Sequence, residues 1–333
     1  MKIALTYNLK RKEEDRPADY FSECDSQETI DAIAGALRRR GHSVEMIDAQ
    51  RGNLIKYFGA NSVDMVFNIA EGFFGKSRES QVPALLDHFK VPYTGSGSFS
   101  LALALNKALT KKILKAEGIP TPNFQLFFNG NEEPGPELKF PLIVKPNREG
   151  SGKGISIASV VNSREDLMRK VKEIIGLYKQ EALAEEFIQG RELTVGILEK
   201  GKIEILPILE IDFSDCLKSG EYFYSWRMKE FQGDCGMGLT PSFHCPARLD
   251  ENTSARVREI ALKTHQAVGC FDISRTDIRL SSDGTPYVLE INPLPGLNPK
   301  ESNFPLMAYA AGLKYEELID TILMNAVARR RAN

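Results

Sequence analysis

No stretch of this chain approaches the ~18 continuous apolar residues of a membrane span. The opening MKIALTYNLKRKEED also has no apolar run of signal-peptide length. Neither sign of charge dominates: the net value is -2, which gives no electrostatic case for nucleic acid or an anionic membrane as partner. Cysteine is sparse. Positions 24, 216, 235, 245 and 270 show no C-x-x-C spacing and the count is odd, so reduced thiols in a cytoplasmic protein are expected. His244-Cys245 with Cys235 and Cys216 lacks the spacing of a zinc module. Internal repeats and low-complexity tracts are missing too. The run Arg329-Arg330-Arg331 reads as the solvated end of a C-terminal helix.

What is present is an ordinary globular composition on 333 residues, too long for one compact core and suggestive of two or three domains. Strand Lys2–Tyr7, an amphipathic helix from about Ser26 to Arg40, strands Ser43–Ile47 and Val63–Ile69 and a helix over Val82–Phe89 alternate in type, which predicts a parallel α/β sheet. Asp25 with Glu28 resembles a capping box for the first helix. Ser98–Gly118 reads as one long helix. From about Thr121 the pattern becomes α+β: strands at Leu142–Lys145, Ile155–Val160, Ala182–Phe187, Leu193–Leu198 and Lys202–Ile211 surround a helix at Arg164–Tyr178. A loop-rich Asp212–Cys245 and a helix at Asn252–Val268 follow. The expected division is 1–105, 106–190 and 191–333.

Three local signals carry chemistry. Asp283-Gly284 between two strand patterns is a hairpin signal. Pairing about that turn sets Asp277 opposite Glu290 and Arg275 opposite Asn292. One face then holds Arg275, Asp277, Arg279, Glu290 and Asn292; the packing face holds Thr276, Ile278, Leu280, Tyr287, Leu289 and Ile291. Opposed carboxylates repel unless a cation lies between them. Oxygen-only ligands suit Mg²⁺. A salt-bridge ladder with Arg275 and Arg279 satisfies the same pattern.

The second signal is IVKPNREGSGKGISI at 143–157. Gly150, Gly152 and Gly154 alternate with Ser151 and Lys153 between two strands, so backbone N–H groups could cradle phosphate. A mobile hairpin tip is the plain alternative. Lys145 precedes the loop and could meet phosphate as a point charge. The third is AEEFIQGRE at 184–192. Its acids could contact adenine and ribose hydroxyls, or could be exposed hairpin charges.

Together, in this order, the signals resemble the ATP-grasp superfamily, and within it the D-alanine–D-alanine ligases. The matching stretches are PYTGSG at 92–97, Asn106-Lys107, VKP at 144–146, EGSGKG at 149–154, EEFIQGRELTV at 185–195, Lys229, CPA at 245–247, and RTD with LEINPLPG between 275 and 296. The resemblance implies an ATP-grasp fold in which two α+β subdomains clasp ATP behind an N-terminal α/β domain. It implies ligation of a carboxylate to an amine through an acyl-phosphate, in the cytoplasm and in cell wall biogenesis, with amino acid or amine substrates and a homodimer as one assembly. Lys107 and Lys145 would contact ATP phosphates under the loop Glu149–Gly154, with Ser151 at its tip. Glu185, Glu186, Phe187 and Ile188 would line the adenine pocket and Glu192 the ribose. Asp277, Glu290 and Asn292 would hold two Mg²⁺ ions, with Mn²⁺ as a substitute. Arg275 and Gly296 would form an oxyanion hole, and Lys229 would reach the γ-phosphate.

The departures fall at the amino-acid end. Glu23 is nearest the acid expected to hold an ammonium group. The family's Leu-His-Gly turn is Ile69-Ala70-Glu71-Gly72 here, followed by Arg78-Glu79. The tyrosine usual after the mobile-loop lysine is Glu230, and the serine expected to meet the second substrate is Ser302. These changes imply an ATP end that is intact and a substrate that need not be D-alanine. The reading from another class is a silent nucleotide-binding module, which need not keep both metal carboxylates.

Overall fold

The structure, a computed structural model, describes residues 1–11, 17–50, 52–231 and 237–332. Cys235 and residues 12–16 of the charged N-terminal loop lie outside them. Three sheets organise the chain.

The first sheet is parallel, with β1 (Lys2–Tyr7) between β2 (Ser43–Asp48) and β3 (Met65–Asn68). A central strand of a covered parallel sheet is buried on both faces, and Ile3, Ala4, Leu5 and Thr6 of β1 are all buried. Helices α1 (Gln27–Arg39), α2 (Asn53–Ala60) and α3 (Gln81–Phe89) cover it. The predicted cap of α1 is corrected: Ser26 Oγ accepts the Thr29 N–H at 3.2 Å, so Ser26 and not Asp25 is the N-cap. That frees the Asp25 carboxyl to face the interior cavity.

The long helix predicted over 98–118 is two, α4 (Ser98–Leu105) and α5 (Lys107–Ala116). Asn106 takes φ -88° and ψ 87° and caps α5 by accepting the Leu109 N–H at 3.2 Å. The break makes Lys107 the first residue of a helix that points at the interior.

The second sheet is antiparallel. Its strands are β4 (Phe124–Phe127), β5 (Leu142–Pro146), β6 (Val160–Val161) and β7 (Ala182–Glu186), in the order β4-β7-β5-β6, backed by α6 (Arg164–Tyr178). The strand expected over Ile155–Val160 is mostly replaced by a 3₁₀ turn at Ile157–Ser159. There Ser159 Oγ accepts the Ser156 N–H at 3.0 Å, a side-chain bond that competes with strand pairing.

The third sheet runs β11-β10-β8-β12-β13, with β9 on β8. Its strands are β8 (Gly190–Glu199), β9 (Ile203–Ile205), β10 (Leu209–Asp212), β11 (Ser242–His244), β12 (Ile273–Ser281) and β13 (Pro286–Asn292). The single strand expected over Lys202–Ile211 is divided around Pro207, which has no N–H to offer a ladder. Helices α7 (Trp226–Glu230), α8 (Glu251–Val268), α9 (Asn303–Ala310) and α10 (Tyr315–Ala332) complete the chain.

Helix α10 does not stay with the third sheet alone. Leu318, Ile322 and Leu323 share one core with Ile30, Ile33 and Leu37 of α1, so the C-terminal helix closes over the N-terminal sheet. The expected solvated end is corrected at one residue: Arg329 bonds the buried Asp272 carboxylate and donates to the Tyr93 carbonyl at 2.9 Å. Among the described residues no helix is long and apolar enough to cross a membrane.

Candidate active site

The hairpin of β12 and β13 has the predicted register at its functional end. Arg275 faces Asn292 and Asp277 faces Glu290. The turn, however, is not a two-residue one. The Gly284 N–H reaches the Ser281 carbonyl at 2.9 Å, and Ser281 and Thr285 close the loop at 3.0 Å. Gly284 takes φ 80°, as a three-residue hairpin loop demands at its last position. That odd count shifts Ile278 onto Val288 and Arg279 onto Tyr287, and a bulge between Asp277 and Ile278 restores the register. The expected packing face is corrected accordingly. Val288 is the buried core residue, while Leu289 turns into the cavity and Tyr287 sits opposite Arg279.

Both carboxylates are held by protein cations. Arg275 donates from Nε and Nη2 to Asp277 Oδ1 and Oδ2, each at 2.9 Å. Thr194 Oγ1 donates to Asp277 Oδ1 at 2.6 Å and Asn292 Nδ2 to Oδ2 at 3.1 Å. Glu290 meets Lys107 Nζ at 3.0 Å. Burial would raise the Glu290 carboxyl, but Lys107, Lys145 and Lys229 outweigh it and hold it far below the ordinary carboxylate range. The ladder with both arginines does not form. Arg279 turns away to Glu192 at 3.3 Å and stacks on the Phe187 ring at 5.3 Å. Asp277, Glu290 and the Asn292 amide on one face offer an all-oxygen donor set that fits Mg²⁺.

Lys145 Nζ donates to Glu185 Oε1 at 2.5 Å, and Lys111 Nζ lies 2.8 Å from Oε2. Glu185 therefore borders the cavity while its charge is spent between two buried lysines. Lys111 went unpredicted, although its position one turn after Lys107 on α5 is a readable signal. Removing one member of such a buried cluster leaves an uncompensated charge, costing about 3–5 kcal/mol. Glu185→Gln is thus expected to lower the unfolding free energy measured by urea titration by an amount of that order; an unfolding free energy within error of the parent would refute the pairing.

Three segments meet over the cavity. Ser151 (φ 50°) and Gly152 (φ 72°) bend the glycine loop back on itself. The Gly150 N–H donates to Glu23 Oε1 at 2.5 Å. Trp226, at the start of α7, donates from its backbone N–H to the Ile155 carbonyl at 3.2 Å and from Nε1 to Ser22 Oγ at 2.7 Å. Lys10 pairs with Glu230 at 3.0 Å. The Lys229 ammonium lies 4.9 Å over the Tyr224 ring, its pKa lowered by burial and by Arg275.

The cavity between these segments measures about 430 Å³. Lys107, Lys145, Glu149, Gly150, Ser151, Gly152, Glu185, Glu186, Phe187, Ile188, Glu192, Lys229, Arg275, Asp277, Glu290, Asn292 and Gly296 all line it. So do the substrate-end candidates Glu23, Glu71, Glu79, Glu230 and Ser302. Ser302 Oγ accepts the Asn298 N–H at 3.0 Å, and a Cβ on Gly296 would meet that oxygen at 2.8 Å. Two predicted residues do not line the cavity. Lys153 points to Glu149 at 2.6 Å, and Gly154 packs on Pro146 while its N–H reaches Asp19 at 3.1 Å. Besides Lys111, the sequence reading missed Thr194, Tyr224 and Trp226. The aromatic pair falls in the stretch Asp212–Cys245, whose sequence has no strand or helix periodicity to orient it.

Comparisons with known proteins find relatives along nearly the whole chain. The family model described as D-ala D-ala ligase C-terminus matches residues 113–324. A D-alanine–D-alanine ligase of Carboxydothermus hydrogenoformans is 35% identical over 316 residues, spanning 92% of this chain and 95% of the relative. An uncharacterized protein of Sinorhizobium fredii, y4sG, is 35% identical over 311 residues, 90% of this chain and 87% of its own length. The crystal structure of a Bacillus anthracis D-alanine–D-alanine ligase complexed with ATP superposes with a TM-score of 0.76 at 25% identity, covering 100% of this chain and 99% of the other.

Proposed function

Because this chain belongs to the D-alanine–D-alanine ligase family, and so is an ATP-dependent ligase that forms a peptide bond, we propose that it activates one amino acid as an acyl-phosphate and joins it to the amine of a second. The observation that carries this reading is the convergence of Lys107, Lys145, Lys229 and Arg275 with Asp277 and Glu290 on one cavity walled by a glycine loop.

Lys107 and Lys145 neutralise the triphosphate, and the backbone N–H groups of Ser151 and Gly152 at the tip of the 150–154 loop cradle it, those of Gly150 and Gly154 being held by Glu23 and Asp19. Phe187 and Ile188, with Glu185 and Glu186, bound the adenine, and Glu192 takes the ribose. Asp277, Glu290 and Asn292 would hold Mg²⁺, as two ions, or Mn²⁺ in its place. When bound, the metal neutralises phosphate oxygens and steadies phosphoryl transfer. A carboxylate oxygen of the first substrate attacks the γ-phosphorus and ADP departs. The amine of the second attacks the carbonyl carbon, phosphate leaves with the bonding pair, and the nitrogen sheds its extra proton. Arg275 and the Gly296 N–H stabilise charge on the carbonyl oxygen as the tetrahedral centre forms. The glycine loop and the segment bearing Trp226 exclude the water that would hydrolyse the acyl-phosphate.

The substrates are amino acids, D-alanine being the one named for the relatives, and the working compartment is the cytoplasm. The test is ADP release by the full chain with Mg²⁺-ATP against D- and L-amino acids offered singly and in pairs. Release that requires an amino acid, with dipeptide as product, is expected. Tight nucleotide binding without ADP release from any pair would favour a silent binding module.

A further inference from the structure

The acid expected to receive a substrate ammonium, Glu23, is already engaged. Its Oε1 accepts from Arg78 Nη2 and from the Gly150 N–H, each at 2.5 Å, and its Oε2 faces Lys153 Nζ at 3.4 Å. Burial opposes its ionisation, yet Arg78 and Lys153 hold it below the usual carboxylate range. Glu23 is thus a strut that ties the glycine loop to the turn carrying Arg78.

Beside it stand two carboxylates with no such support. Glu71 and Glu79 line the same cavity. Oxygens of Glu23, Glu71 and Glu79 lie within 4.8 Å of one another. Among the described residues neither Glu71 nor Glu79 makes a side-chain hydrogen bond or ion pair, and Glu79 is only 9% exposed. The cations nearby are committed. Arg78 also meets Glu149 at 3.3 Å, Lys153 meets Glu149 at 2.6 Å, and Lys107 meets Glu290 at 3.0 Å. Four carboxyl groups (Glu23, Glu71, Glu79, Glu149) share two cations (Arg78, Lys153), and neither Glu71 nor Glu79 has a cationic partner of its own. Buried charge without a partner is costly. Burial and mutual repulsion accordingly push Glu79 up to about 7 and Glu71 well above the ordinary range.

The geometry points to Glu71 and Glu79 as a cation subsite, so that the acid activated by this ligase carries a second amino group besides the α-ammonium. This rests on the ligase reading above. An ammonium about 2.8 Å from each oxygen would bridge two carboxylates whose oxygens lie within 4.8 Å of each other. One ammonium supplies the counter-charge for one of the two unpartnered carboxyls; the other calls for a second amine. The ligand class is therefore a diamino acid such as 2,3-diaminopropionate, ornithine or lysine. A lone divalent cation fits less well, because the third acid of the trio has both oxygens facing protein donors.

The test measures ADP release by the full chain with alanine and with these three diamino acids, both enantiomers of each, and then in E79Q and E71Q. Wild-type kcat/KM should favour one diamino acid over alanine by at least tenfold, and that ratio should collapse tenfold or more in both variants. The glutamines keep the side-chain shape, and the wild-type ratio needs no variant. A preference for alanine, or a ratio unmoved by either substitution, overturns the subsite while the ligase reading stands. ADP release from no acid at all overturns both. Calorimetric titration of the nucleotide-free protein with MgCl₂ and CaCl₂ provides the remaining arm. Saturable binding that E79Q abolishes and that a diamino acid cannot displace makes the trio a metal site and overturns the proposal.

Discussion

Asp277→Asn is expected to lower turnover by a factor of about 10³, at the upper end for loss of a single electrostatic stabiliser in a catalytic site, while nucleotide binding persists. The reason lies in what surrounds the carboxylate. Four donors from three residues converge on Asp277, two from Arg275 and one each from Thr194 and Asn292. An asparagine preserves the volume and can still accept from Thr194. It removes the charge that would share Mg²⁺ with Glu290, and it leaves Arg275 without its bidentate partner. The residues proposed for adenine, Phe187 and Ile188, lie between β7 and β8 and make no hydrogen bond to Asp277. Steady-state ADP release and fluorescence titration with a nucleotide analogue separate the two effects. The Mg²⁺ concentration for half-maximal rate should rise together with the loss of turnover. Unchanged turnover would remove the metal assignment.

The sequence made the β12–β13 hairpin legible because strand alternation has a period of two, and a wrong register would send charges into a core. It could not reveal the bulge. Whether Asp283-Gly284 forms a two- or three-residue loop is decided by bonds such as the Ser281–Thr285 pair, which local composition does not report. The helix break at Asn106 was present as a motif but read as continuous helix. An asparagine inside apolar periodicity costs little until its side chain caps the next turn. The charged substrate end was the least legible. Glu23, Arg78 and Glu149 are far apart in sequence, and only packing of three segments shows that Glu23 is spoken for and Glu79 is not. Local periodicity also gave no hint that α10 would share a core with α1, because such contacts join the chain's two ends.

Gly152→Val should uncouple the enzyme without emptying it of nucleotide. Gly152 takes φ 72°, and a Cβ there would stand 3.0 Å from the Trp226 nitrogen and 3.2 Å from its Cα, all backbone atoms that cannot swing aside. A β-branched residue in left-handed backbone adds roughly 1–2 kcal/mol of strain. The loop must therefore shift away from α7, and the bonds of Trp226 to Ile155 and Ser22 must lengthen or break. Displacement of about 1 Å in groups that position a reacting phosphate costs on the order of 10² in rate. The parted loops also admit water to the acyl-phosphate, so dipeptide formed per ADP released should fall well below unity. Nucleotide affinity should fall far less, since the residues proposed for adenine and ribose stand on the rigid third sheet and its junction with the second. Both products can be counted in one assay. If the valine variant couples fully and turns over at the parental rate, closure of the glycine loop on Trp226 has no part in catalysis.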